Sequence, residues 1–179
     1  MVHWPDNMVT YDEYDKILFS NDAFGQHYAS SGRFDDENEL SVILDQARKY
    51  YANIVQPYRT QAAAAVKAVR GLGPDAIDMI APAHGVIWRS HVEDILKAYE
   101  EEYTSGALKD SAVVVYDSMW GSTDKMAHAI ADGFVAAGVK VELMDIKAND
   151  NSDVMNAFLD AKYVCVGSPT FNSQMLPTI

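Results

Sequence analysis

The residues best suited to chemistry fall in a few short stretches. Ser118-Met119-Trp120-Gly121-Ser122-Thr123 gathers three hydroxyls around one glycine, directly after the apolar run Val113–Tyr116 and before a helix-like segment. Free backbone N–H groups and the positive end of a helix dipole favour an anion at such a junction. Hydroxyls donate to a phosphate without adding charge. A dinucleotide loop would use several glycines, and a Walker loop would need Gly-Lys-Ser/Thr. One glycine and no lysine suit a terminal monophosphate; the plainer alternative is an N-capped helix with no ligand.

A second stretch, Ser168-Pro169-Thr170-Phe171-Asn172, follows the apolar run Val164–Val166. It offers backbone groups and a flat side chain to an aromatic heterocycle. In open α/β sheets ligands bind outside the carboxyl ends of the strands, at the point where strand order reverses. One loop for a phosphate beside one loop for a flat ring describes FMN. Upstream, His3, Asp22 and His84 each sit in a turn-like context next to a short strand. Two imidazoles and a carboxylate are ligand types that iron and zinc accept. Read without context, the same three residues are turn formers at strand ends.

Composition narrows the function classes. The 179 residues carry 49% hydrophobic and 22% charged side chains, an ordinary globular balance. A formal net charge of −12, with no Lys/Arg run, argues against nucleic acid or an anionic membrane as partner. The single Cys165 excludes an intrachain disulfide and a cysteine-based metal centre, and suits a reducing compartment. No stretch is apolar enough for a membrane span, and MVHWPDNMV lacks the form of a signal peptide. A cytoplasmic location is expected.

The elements that must position these residues follow from periodicity. Met8–Tyr11 and Lys16–Phe19 predict a hairpin leading into the turn-rich Ser20–Gly25, and Gly32–Asn38 predicts a loop. Helices are expected over Leu40–Val55 and Pro57–Val69, the second stopped by Gly71-Leu72-Gly73-Pro74. Ile77–Ala81 predicts a strand that delivers His84; Ser90 and Glu93 have the spacing of a capping box for the next helix. After the small, polar Thr104–Asp110 the pattern becomes β-α-β-α-β. Strands are expected near Val113–Tyr116, Lys140–Ile146 and Tyr163–Val166, and helices near Asp124–Ala137 and Asp153–Ala161, the latter capped by Ser152. Such alternation implies a parallel sheet, here in the order 2-1-3.

The two downstream loops resemble the flavodoxin family, whose phosphate loop runs Ser/Thr-x-x-Gly-x-Thr. The resemblance implies that Ser118, Gly121, Ser122 and Thr123 hold the FMN phosphate and that Ser168, Pro169, Thr170 and Asn172 lie along the isoalloxazine, with Phe171 in the same loop; Met119 and Trp120 either touch the flavin or bury the loop tip. The words His3-Trp4-Pro5-Asp6, Ser20-Asn21-Asp22-Ala23-Phe24-Gly25 and Ala81-Pro82-Ala83-His84-Gly85-Val86-Ile87-Trp88 look very like the flavodiiron proteins. The α/β fold this implies has two parts. Residues 1–108 would form the C-terminal part of a metallo-β-lactamase-like αββα diiron domain. Residues 109–179 would form the N-terminal part of a flavodoxin-like doubly wound parallel sheet that binds FMN. In that family the ligands are a His-x-Glu-x-Asp-His motif, a lone His, a bridging Asp and a last His. By resemblance His3 serves one iron, His84 the other, and Asp22 bridges. No His-x-Glu-x-Asp occurs in this sequence. The chain therefore reads as a fragment lacking both ends of a longer protein, inactive alone.

For the parent, the resemblance implies a flavodiiron oxidoreductase: FMN passes electrons to two non-haem irons, which reduce dioxygen to water or nitric oxide to nitrous oxide. Rubredoxin or a similar small carrier is the implied donor, and a head-to-tail homodimer (or a tetramer built from it) the implied assembly. Two alternatives belong to other classes, a flavodoxin-type electron carrier without iron and a zinc hydrolase of the lactamase-like fold. His27 is expected to be structural, and His91 and His128 solvated.

Overall fold

The computed structural model describes residues 3–4 and 6–179; Pro5, within the His3–Asp6 word, lies outside the described residues. The chain forms two compact units, Met1–Gly106 and Ala107–Ile179.

In the first unit, β1 (Thr10–Asp12) folds back antiparallel onto β2 (Ile17–Asn21), and β3 (Met79–Pro82) pairs parallel with β2 on its other side. The Asp12 carboxylate closes the hairpin by accepting the Tyr14 and Asp15 N–H groups. Leu18 and Ile80 face each other across the β2–β3 pair and are buried. Helix α1 (Leu40–Tyr50) buries Ile43, Ala47 and Tyr50, the one-face spacing of an amphipathic helix. The regular helix expected through Val55 ends at Tyr50. A π-helical turn (Tyr51–Val55) and a 3-10 turn (Gln56–Tyr58) precede α2 (Arg59–Arg70). Pro57 explains the interruption, since it donates no N–H and its ring clashes with a carbonyl one turn back. Tyr50 and Tyr51, seven and eight residues after Ile43, are both buried. Tyr51 packs against Tyr99 and Tyr103, with ring centroids 5.4 Å away in each case.

Two expected caps are replaced. Helix α3 (Val92–Lys97) starts after His91 with no side-chain cap, so Ser90 and Glu93 form no capping box. Asp35, fully buried in a 3-10 turn (Asp35–Glu37) inside the expected loop, takes over. Its carboxylate accepts N–H groups from Arg89 (3.1 Å), Ser90 (3.0 Å) and His91 (2.6 Å). In the second unit the helix Asn151–Phe158 is capped by Asp150, which accepts the Ser152 N–H at 2.8 Å, rather than by Ser152.

The second unit contains β4 (Lys109–Tyr116), α4 (Ser122–Ala136), β5 (Lys140–Asp145), α5 (Asn151–Phe158) and β6 (Ala161–Gly167). The strands are parallel in the order β5-β4-β6, the expected 2-1-3. Alternation along β4 serves both faces. Val113 and Val115 pack with Met144, Val154 and Ala161, whereas Val114 and Tyr116 pack with Ala127. Among the described residues, no helix is long and apolar enough to cross a membrane.

Replacing Asp35 by Ala strips three N–H groups at the head of α3 of their acceptor. We expect Asp35→Ala to lower the unfolding free energy by about 2–4 kcal/mol in urea titrations. An unchanged midpoint and slope would refute this capping role.

Candidate functional site

Asp22 sits on a strained elbow. β2 ends at Asn21 with φ of 55°, and Phe24 follows with φ of 66°. A bulky residue in this left-handed region costs about 1–3 kcal/mol and persists only where the surroundings fix it. They do so here. The Phe24 N–H donates to Tyr99 Oη at 3.0 Å, and its carbonyl accepts from Trp88 Nε1 at 2.8 Å and Gln26 Nε2 at 3.0 Å. Its ring lies 4.6 Å from that of Tyr99. Burial pushes the Tyr99 phenol far above its ordinary pKa, so the hydroxyl stays neutral. Ser20 Oγ closes the elbow on the Ala23 carbonyl at 2.7 Å.

The same elbow fixes His84. Ala83 N–H donates to the Asn21 carbonyl at 2.7 Å, and Gln26 N–H to the His84 carbonyl at 3.1 Å. The buried Gln26 then accepts the Val86 N–H on Oε1 at 2.8 Å. Gly85, with φ of 83°, lies against that amide: an added Cβ would stand 2.1 Å from Gln26 Oε1 and 2.7 Å from its carbonyl oxygen. Only glycine fits.

The result is a convergent pair. His84 Nε2 lies 3.4 Å from Asp22 Oδ1, with the imidazole half exposed and the carboxylate almost buried. Asn7 Nδ2 donates to Asp22 Oδ2 at 3.0 Å, and Tyr50 Oη to Oδ1 at 3.4 Å. Burial first, then the Asp22 charge, raises the Tyr50 pKa and keeps it a donor. Two ligands held about 2.1 Å from one ion stand roughly 3.0–3.4 Å apart, so the Asp22–His84 spacing suits neighbouring positions on a single metal. The His27 ring is exposed, 4.7 Å from Tyr50 and 5.8 Å from His84, and so flanks this cluster instead of filling a core. The His3 ring contacts Trp4 and Tyr58. Among the described residues, no group of three or more His, Cys, Asp or Glu side chains is placed to hold a metal ion. The donor chemistry fits part of a metal site.

The second unit presents the phosphate-type loop. Gly121, with φ of 81°, turns the chain into α4, whose start has no side-chain cap, so its first-turn N–H groups are available to a ligand. Ser118 Oγ accepts the Gly121 N–H at 2.9 Å. Ser122 is exposed, while Thr123 is buried against Gly167, whose added Cβ would stand 3.0 Å from Thr123 Cγ2. Met119 and Trp120 form the exposed tip. Tyr116 Oη donates to Asp124 Oδ1 at 2.6 Å, tying the strand end to the first turn of α4. That bond, more than burial, pushes the Tyr116 phenol up to about 12.

The other loop leaves from the neighbouring strand end, joined by Asp117 N–H to the Gly167 carbonyl at 3.0 Å. Ser168 Oγ accepts the Leu176 N–H at 2.9 Å and donates to the Pro169 carbonyl at 3.0 Å. Phe171 and Gln174 exchange backbone hydrogen bonds around Asn172 and Ser173, both left-handed, leaving Thr170, Phe171 and Asn172 exposed. Uncapped N–H groups, a free hydroxyl and an adjacent loop with exposed backbone and a flat side chain fit a phosphorylated heterocycle.

Four residues here escape sequence reasoning: Asn7 and Tyr50 on Asp22, and Asp117 and Lys147 under the phosphate loop. Asp117 is buried, accepts the Ser118 N–H at 2.6 Å and pairs with Lys147 Nζ at 2.7 Å. Thr178 Oγ1 donates to its other oxygen. Lys147, then Thr178, hold this carboxyl below its ordinary pKa.

Residues 1–85 match the family model for the ODP family beta lactamase, and residues 114–178 match that for Flavodoxin. The whole chain is 46% identical to the nitric oxide reductase of Moorella thermoacetica, covering 44% of that protein. The solved rubredoxin oxygen:oxidoreductase of Desulfovibrio gigas superposes with a TM-score of 0.91 at 42% identity, over 99% of this chain and 44% of that one. The flavodiiron protein of Giardia intestinalis gives a TM-score of 0.87 at 36% identity, over 98% and 42%. Over its whole length the chain resembles the flavodiiron protein family. Its fold is the expected one for that family, a lactamase-like part followed by a flavodoxin-like part. It spans less than half the length of the flavodiiron relatives it matches.

Gly85→Ala forces a side chain into Gln26 at a left-handed position. A stability loss of about 2–4 kcal/mol is expected by denaturant unfolding, and wild-type stability would contradict the close approach. The depressed Asp117 carboxyl gives a pH dependence. Its contribution is complete above the unfolded value near 3.8 and is lost as pH falls through the lower folded value. Thermal midpoints should therefore drop below about pH 4, and Asp117→Asn should flatten that drop. An equally steep drop in the variant would contradict it.

Proposed function

We propose that the full-length protein is a flavodiiron oxidoreductase that reduces nitric oxide to nitrous oxide, dioxygen to water, or both. The observation that carries this reading is the Asp22–His84 pair at 3.4 Å, presented by a strained elbow in the same chain as an uncapped, hydroxyl-bearing phosphate loop. Two relatives support the substrate class: one is named a nitric oxide reductase and the other a rubredoxin oxygen:oxidoreductase.

In this reading Asp22, His84 and His3 would serve as ligands of two non-haem irons, Asp22 as the shared carboxylate, with the remaining ligands coming from outside these residues. Ser118, Gly121, Ser122 and Thr123 hold the FMN phosphate. Ser168, Pro169, Thr170, Phe171 and Asn172 line the flavin ring, with Met119 and Trp120 at its edge. When bound, FMN would supply electrons and the irons would supply the site at which the gas is reduced. The chain's own part is positional. Asn7 and Tyr50 fix the two Asp22 oxygens, and Tyr50, kept protonated, can donate a hydrogen bond beside the metal. A rubredoxin-type carrier is the proposed donor, the cytoplasm the compartment and a head-to-tail homodimer the assembly.

The test is metal and flavin analysis of the full-length protein with anaerobic nitric oxide consumption and dioxygen uptake. Equimolar FMN, two irons per chain and turnover of either gas are expected. His84→Ala should lose at least half of the iron and over 90% of turnover, roughly the consequence of removing a side chain bonded to the metal, while keeping its FMN. Flavin without iron would instead indicate an electron carrier, and bound zinc with hydrolysis a lactamase-like hydrolase.

A further inference from the structure

We propose that Lys147 is a positioning residue for the phosphate end of the flavin, acting as a cationic clamp beneath the Ser118–Thr123 loop; this rests on the FMN reading above. The loop itself carries no cation, and the chain it belongs to is strongly acidic. A phosphate arriving there meets hydroxyls and N–H groups in an unfavourable overall field. Lys147, just after β5, brings its ammonium to the loop from a distant part of the sequence. It stands 2.7 Å from the buried Asp117 Oδ1 and donates to the Ser118 carbonyl, the first backbone oxygen of the loop.

These contacts do two things. Asp117, anchored by Lys147 and Thr178, takes the Ser118 N–H. Ser118 Oγ in turn takes the Gly121 N–H, so the left-handed turn that aims the α4 N-terminus is built on the ammonium. An ammonium also has three donors. Two are directed at Asp117 and Ser118, and the side chain is 55% exposed, which leaves one N–H facing solvent beside the loop. The charge on Asp117 offsets that of Lys147 at rest. The pair thereby holds the loop in shape without leaving a bare cation to attract other anions.

A clamp acting on the phosphate predicts discrimination between flavins. The deflavinated full-length protein and its Lys147→Gln and Lys147→Arg variants would be titrated with FMN and with riboflavin, which has the ring but no phosphate, following flavin fluorescence. Lys147→Gln should weaken FMN about tenfold and riboflavin less than about twofold, and Lys147→Arg should restore FMN to within about threefold. Wild-type FMN affinity should also fall with added KCl, and more steeply than that of Lys147→Gln. Equal weakening of both flavins, or no weakening of FMN, overturns the clamp while leaving FMN binding intact. Failure of the wild type to bind FMN overturns the cofactor assignment itself. Should Lys147→Gln not fold, a wild-type FMN affinity independent of KCl overturns the clamp, and a salt-dependent one with full Lys147→Arg rescue upholds it.

Discussion

The left-handed backbone at Phe24 is the constraint on which the first unit depends. A phenylalanine does not adopt φ of 66° unaided. Three side chains hold it, two from remote positions and one from nearby: Tyr99 at its N–H, Trp88 and the neighbouring Gln26 at its carbonyl. Because Gln26 also binds the backbone on both sides of Gly85, the elbow that presents Asp22 and the turn that presents His84 are one hydrogen-bonded object. Its strain is offset by the burial of Tyr99, Trp88 and Phe24, among the largest fully buried side chains of the unit. Two potential metal ligands are thus fixed by core packing, not by each other.

In the proposed reading the second unit would hold an anion in an acidic protein mostly with dipoles: free N–H groups at α4, hydroxyls and one shared ammonium would stand where a Walker loop places a lysine on the ligand. A parallel sheet buried on both faces of β4 supplies the rigid edge from which both loops spring.

What the sequence made legible follows from locality. The β-α-β-α-β alternation and the strand order 2-1-3 lie in apolar runs and helix periods, and both are present. Asp22 and His84 were marked by turn-rich words at the ends of apolar runs, and those ends are hydrogen-bonded neighbours. Elsewhere the deciding partner is distant. In the sequence Asp35 is one acid of a polar loop, because the N–H groups it accepts lie more than fifty residues on. Ser90 lost its capping role to it. Tyr50 lies on the buried stripe of α1, but its contact with Asp22 joins residues 28 apart and leaves no local sign. Lys147 carries no local signal, since only the parallel pairing of β4 and β5 brings it under Ser118.

The central claim is that the Phe24 elbow presets Asp22 and His84 for one metal. Crystal structures of the full-length protein without and with iron test it directly. The account predicts iron about 2.0–2.2 Å from His84 Nε2 and from an Asp22 oxygen, with the 3.4 Å Nε2–Oδ1 separation nearly the same in both states. Iron bound without His84 or Asp22, or an elbow that takes its left-handed form only after iron binds, would contradict it.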